Sequence, residues 1–215
     1  LFIFGSIYAS TPPSGPGSAS AIDMLIPAFS AMVIGISGLM PTTITMAIYR
    51  ENGILRRLRT TPVSPLVVLV AQVIVVFCMT LLGMLLLVAA GVLVYHVSFS
   101  GSALSLLAGF SLGCLSFFGI GFILAGTMPT ARTAQVVAMI LLYPMLIFSG
   151  AAWPRELMPA TIQKISTFVP LTYVVNLLRG LWTGETWGNH LLDAGVLLAM
   201  LLLGVLISMK TFRWE

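Results

Sequence analysis

The sequence predicts an all-α fold, a polytopic transmembrane helix bundle, and three observations predict it. Of the 215 residues, 59% are hydrophobic and only 7% are charged, where soluble domains carry about 25% charged residues. The mean hydropathy is +1.08. The apolar residues also fall in long runs, and an α-helix needs roughly 20 such residues to cross a hydrocarbon core about 30 Å thick. Ten cations and six acids are too few to cover a water-soluble globule of this size. An ordinary cytosolic enzyme, a disordered chain and a nucleic-acid-binding domain are thereby excluded. The chain reads as one membrane domain over residues 1–215.

Each element follows in order. Residues 1–8 read as the tail of a span, so the sequence is expected to begin part-way through a helix. No cationic stretch precedes them and no small-residue cleavage site follows, so no signal peptide is expected. The run Ser10-Thr11-Pro12-Pro13-Ser14-Gly15-Pro16-Gly17 is too rich in Pro and Gly for a helix. The first full span covers about 22–47, with Pro41 expected to kink it near its end. A polar, cationic segment occupies 50–65. Spans of about 66–95 and 102–127 follow, joined by a short turn, and 128–133 is another short connection carrying Arg132. The run 135–152 has eighteen residues, about 27 Å of helix and barely enough to cross. Residues 153–189 are mixed in character, 191–209 form the last span, and 210–215 are a polar tail. The count is one partial span plus five full ones.

The cations orient the bundle. One end collects Arg50, Arg56, Arg57, Arg59, Arg132, Lys210 and Arg213; the other holds Arg155, Lys164 and Arg179 with Asp23, Glu156, Glu185 and Asp193. Seven cations against three places the first set, and the C-terminus, in the cytoplasm. Anionic lipid heads account for the basic balance without any nucleic acid.

Two segments are more than span or loop. The first reads Arg50-Glu51-Asn52-Gly53-Ile54-Leu55-Arg56-Arg57-Leu58-Arg59-Thr60-Thr61-Pro62-Val63-Ser64-Pro65. Ile54, Leu55 and Leu58 make a short apolar stripe among arginines, and Pro62 should end the helix. It reads either as a solvated basic loop or as a docking helix for a cytoplasmic partner. Gly53 is placed to let the backbone turn or approach closely.

The second is 153–189. Pro154 and Pro159 suit helix starts, and Pro170 separates two short helical patterns. In the later one Leu171, Val174, Val175, Leu178 and Trp182 share a face, with Thr172, Asn176, Arg179 and Thr183 opposite. A helix over 171–183 is about 20 Å long. Too short to span, it is expected to lie in the interface or to dip in and return, shielded by protein. Trp153, Trp182 and Trp187 suit the headgroup level.

These residues carry a resemblance. Arg50-Glu51-Asn52-Gly53-Ile54-Leu55 with Thr61-Pro62-Val63-Ser64-Pro65 resembles the first cytoplasmic loop of the type-2 ABC transporter permeases. The run Ser149-Gly150-Ala151-Ala152-Trp153-Pro154-Arg155-Glu156-Leu157-Met158-Pro159, then Pro170-Leu171-Thr172-Tyr173 and Leu178-Arg179-Gly180, is similar to the family's late outer segment. The sequence departs from the pattern at Ile54, where Thr is common, and at Gln72, where Lys is frequent. The resemblance implies a permease that pairs with a second permease chain, identical or not, and sits in lipid on cytoplasmic ABC ATPase subunits. Residues 50–59 would be the helix that couples to the ATPase, and Trp153, Pro154, Glu156, Pro159, Pro170, Thr172, Asn176 and Arg179 would belong to an outer re-entrant segment. The chain has no G-x-x-x-x-G-K-[ST] run, so ATP and Mg²⁺ are assigned to the partner and no cofactor to this chain.

Other patterns compete less well. Gly35-Ile36-Ser37-Gly38 spells the G-x-S-G of rhomboid-type intramembrane serine proteases, a chemistry that needs a His beside the Ser. His96 and His190 both fall at outer span ends. Gly109 and Gly113 form one G-x-x-x-G, a candidate for close helix contact. Cys78 and Cys114 lie inside apolar runs, far from metal-ligand spacing. An ion-coupled secondary transporter or channel is the main rival, yet such proteins place ionisable residues at mid-membrane, and every predicted span here is free of charge in its middle.

Overall fold

The computed structural model describes residues 21–54, 65–95, 97, 99–152 and 158–211. Seven α-helices follow one another within them: α1 (Ala21–Glu51), α2 (Pro65–Tyr95), α3 (Ala103–Thr127), α4 (Ala131–Phe148), α5 (Ala160–Ser166), α6 (Pro170–Thr183) and α7 (Leu191–Thr211), with a 3-10 turn at Trp187–His190 before the last. No strand occurs among the described residues. Helices α1 to α4 and α7 are long and apolar enough to cross a membrane, so the polytopic helical bundle expected from hydropathy is the fold. The partial span expected at 1–8 and the loop at 10–17 lie outside the described residues.

Local chemistry sets the helix limits. Helix α1 runs on to Glu51 and contains Pro27 and Pro41. A proline removes one backbone donor and frees the carbonyl four residues earlier. For Pro41 that carbonyl belongs to Ser37, and the Thr42 hydroxyl donates to it at 3.2 Å. The freed acceptor is therefore satisfied inside the membrane domain. Helix α4 starts at Ala131, four residues before the expected 135, because Thr130 and Thr133 form a reciprocal capping box. It stops at Phe148 because Gly150 takes φ +84°, a left-handed turn that ends a helix.

Helix α3 is the centre of the bundle and packs closely on both α1 and α7. Phe110, Phe117 and Phe118 are fully buried with Ile26, Ile34, Leu39 and Met46 of α1. The backbones approach where side chains vanish. A Cβ added to Gly204 of α7 would lie 2.8 Å from the Gly119 Cα, and one added to Gly121 would strike the Gly38 carbonyl. Small residues at helix crossings are the usual means of close packing where lipid removes the hydrophobic drive. Two hydroxyls bridge the same crossings: Thr43 donates to the Gly121 carbonyl at 3.1 Å and Ser116 to the Leu197 carbonyl at 2.7 Å. Away from this centre α2, α4 and α7 expose apolar rows such as Ile74, Leu82 and Leu86, Ile140 and Ile147, and Leu202 and Leu206. Such rows suit lipid or another membrane chain, not water.

Candidate functional site

At one end of the bundle the last turn of α1 reaches across to the α3–α4 turn. Arg50 donates from Nη1 to the Gly126 carbonyl at 2.7 Å. Gly126 lies in the last turn of α3, where carbonyls lack intrahelical donors and a cation is favoured. Glu51 accepts from the Ala131 amide at 2.8 Å. Ala131 is the first residue of α4, where amides are orphaned and an anion is favoured. Beyond them Asn52 and Ile54 are exposed. Gly53 has φ +64°, a left-handed turn just past α1, and among the described residues nothing lies within 4 Å of where its Cβ would stand. Leu55, Arg56, Arg57, Leu58 and Arg59 lie outside the described residues. Of the predicted coupling segment, then, Arg50 and Glu51 bind the bundle while Asn52 and Ile54 face outward.

Helix α6 organises the other end. Pro170 occupies its first turn, where a missing amide costs nothing, and Gly184 closes it at φ +89°. Both short helices expected after Pro159 and Pro170 are present. Leu171 meets Gly35 of α1 at a point also reached by Leu142 of α4, and the Leu181 carbonyl lies against Gly101, just before α3. The helix therefore starts in the middle of the bundle and ends at its rim. Gly109 and Gly113, expected to make a close helix contact, make it with α6: Cβ atoms there would lie 2.6 Å from Leu181 and 3.2 Å from Val174.

Protein surrounds α6 more fully than its stripe implied. Thr172, placed by periodicity on the polar face, is buried and donates to the Ser166 carbonyl at 2.7 Å. Arg179 donates to the Gly150 carbonyl, just past α4, at 3.1 Å. Asn176 donates to Asp193 of α7 at 3.4 Å. Trp182 is buried, 4.9 Å from Phe99 in an edge-to-face pair. Pro159 is exposed at the start of α5, and Trp153, Pro154 and Glu156 lie outside the described residues.

A polar cluster that periodicity did not reveal joins α6 to α7. His190 meets Asp193 through Nδ1 at 2.9 Å and Glu185 through Nε2 at 3.2 Å. Its imidazole occupies the place where a Gly180 side chain would be. The i, i+3 spacing of His190 and Asp193 at a helix start was the available signal. The two carboxylates engage opposite ring nitrogens and so cannot converge on one ion, and no group of metal-ligating residues is assembled among the described residues.

Comparison with known proteins decides the family. A family model described as "ABC-2 family transporter protein" matches residues 6–210. The chain belongs to that family. Nodulation protein J of Rhizobium leguminosarum bv. viciae is 28% identical over 99 residues, covering 46% of this chain and 38% of that protein. Nodulation protein J of Neorhizobium galegae is 24% identical over a stretch of the same length and the same shares. A Bacillus subtilis (strain 168) protein, YhgE, is 33% identical over 98 residues, 46% of this chain and 12% of that protein. The chain thus matches well under half the length of these relatives. As an ABC-2 membrane protein it is multi-pass. Within it the G-x-S-G run serves packing: Gly35 receives α6, Gly38 receives Phe117 of α3, and the Ser37 hydroxyl donates to the Val33 and Ile34 carbonyls of its own helix.

Proposed function

We propose that this chain is the permease subunit of an ATP-driven exporter in the plasma (inner) membrane. In this reading it pairs with a second permease chain in lipid, and a separate cytoplasmic ABC ATPase binds ATP and Mg²⁺. The observation that carries the reading is the family match along 6–210, which includes both the basic segment between α1 and α2 and the outer segment around α6. Residues 50–59 form the coupling segment and the C-terminus is cytoplasmic. The uncharged middle of each span supports an apolar or amphipathic cargo, such as a drug, lipid or glycan.

The coupling role rests on chemistry suited to a protein groove. Ile54, 36% exposed, Leu55 and Leu58 offer a stripe too narrow for firm lipid anchoring, and the arginines around it can hold carboxylates bidentately. Replacing Leu55 and Leu58 by Ser is expected to abolish recovery of the ATPase with the permease while membrane insertion stays normal. Each buried Leu contributes about 2 kcal/mol, so the pair accounts for roughly a thousandfold in affinity. Co-purification of the ATPase with wild type and double variant measures this, and equal recovery refutes the coupling role.

Topology has its own test. Lys164, exposed on α5, is assigned to the outer side. In a cysteine-free background, Lys164→Cys is expected to react with a membrane-impermeant maleimide from outside only. Labelling confined to inside-out vesicles reverses the orientation.

A further inference from the structure

The structure shows both ends of α4 held by charged side chains of other helices. At its start the Ala131 amide is bound by Glu51, and the neighbouring Arg50 holds the last turn of α3 at Gly126. Only three residues, 128–130, separate those two helices. Just beyond its far end the Gly150 carbonyl accepts from Arg179 of α6. Arg50 and Glu51 immediately precede Asn52 and Ile54 of the coupling segment, and their bonds run to the end of α3 and the start of α4. An ATPase docked on that segment would therefore pull on α4 through a short, directional contact.

We infer that Glu51 is a positioning residue that fastens the coupling segment to α4, and that α4 passes its displacement to α6 through the Gly150–Arg179 bond. The inference rests on the coupling reading above and adds a route to it. Arg50 supports the same joint by keeping the end of α3 in step with α1. Packing alone also links α1 with α4, so the claim concerns transmission rather than assembly. A charge pair with a helix terminus is well suited to this, since it is geometrically specific and contributes little to overall stability.

The experiment uses the full permease complex with the ATPase recovered in the co-purification above. Amide hydrogen exchange is compared with and without ATP for wild type, Glu51→Ala, and Glu51→Gln, which keeps an acceptor oxygen. In wild type, ATP is expected to change exchange at 50–54, at 131–134 and at 160–183. In Glu51→Ala the ATPase still co-purifies and 50–54 still responds, while the response at the other two segments falls at least fivefold and transport falls about tenfold. Glu51→Gln should restore at least half of both. An unchanged response at 131–134 and 160–183 in Glu51→Ala overturns the relay and leaves the coupling reading standing. Loss of the ATPase from the Glu51→Ala complex also overturns it, by making Glu51 a docking contact. If wild type recovers no ATPase, the coupling reading itself fails and the relay falls with it.

Discussion

Replacing Gly121 by Leu is expected to lower the thermal midpoint of the detergent-solubilised protein by about 6–12 °C. The substitution acts at the crossing of α1 and α3, where a Cβ on residue 121 would strike the Gly38 carbonyl and lie 3.1 Å from the Thr42 Cβ. The obstacle is backbone, which cannot rotate aside as a long side chain can. Overpacking of this kind costs about 1–3 kcal/mol or more. Separating the helices also weakens the Thr43 bond to the Gly121 carbonyl, and such interhelical bonds average about 0.6 kcal/mol. A loss near 3 kcal/mol is a large part of a typical stability of about 5–15 kcal/mol, and it corresponds to the stated shift for a chain of this length. Gly195→Leu is the control, since among the described residues nothing lies within 4 Å of a Cβ there. A Gly121→Leu midpoint within 2 °C of wild type would mean that α1 and α3 stand farther apart.

Gly180→Ala should produce an effect of the opposite sign to helix propensity. Inside a helix, Ala is ordinarily favoured over Gly by about 0.5–1 kcal/mol. Here the new methyl would take the place of the His190 ring, and moving that ring breaks its contacts with Glu185 and Asp193. The net result is expected to be destabilisation of about 1–2 kcal/mol. In a His190→Ala background the ring is gone and the same substitution should become neutral or stabilising. This reversal is a coupling between neighbours of the kind that a double-mutant cycle isolates. Additive effects in the cycle would show that the imidazole does not pack on α6.

The bilayer makes some of this architecture easy to read and leaves the rest unwritten. Spans declare themselves because every backbone polar group in lipid must be satisfied within its own helix, and the apolar runs of α2 and α7 could serve no other purpose. Pro170 and the stripe through Leu171, Val174 and Leu178 likewise announce α6. Periodicity identifies a face but does not name what covers it. Thr172 and Asn176 therefore read as a polar face, when their partners are Ser166 and Asp193 on other elements. The same limit applies to Arg50 and Glu51, whose acceptor and donor lie 76 and 80 residues away. The Gly109–Gly113 pair was legible as a close contact, yet nothing in its spacing points to α6 rather than to a spanning helix.

The unequal lengths of the helices have a consequence for the surrounding lipid. Helix α2 has 31 residues and exposes Val67 near one end and Leu93 near the other, a predominantly apolar rod of about 40 Å between them. Helix α4 has 18 residues, about 27 Å. A hydrocarbon layer of about 30 Å cannot match both. Acyl chains must stretch, or the rod must lean, beside α2, while chains beside α4 must compress, at fractions of a kcal/mol per Å of mismatch. The protein therefore carries a thickness gradient around its perimeter. Any tilt of α4 towards or away from the membrane normal changes the deformation on one side only, which makes its conformational balance dependent on the chain length of the lipids that surround it.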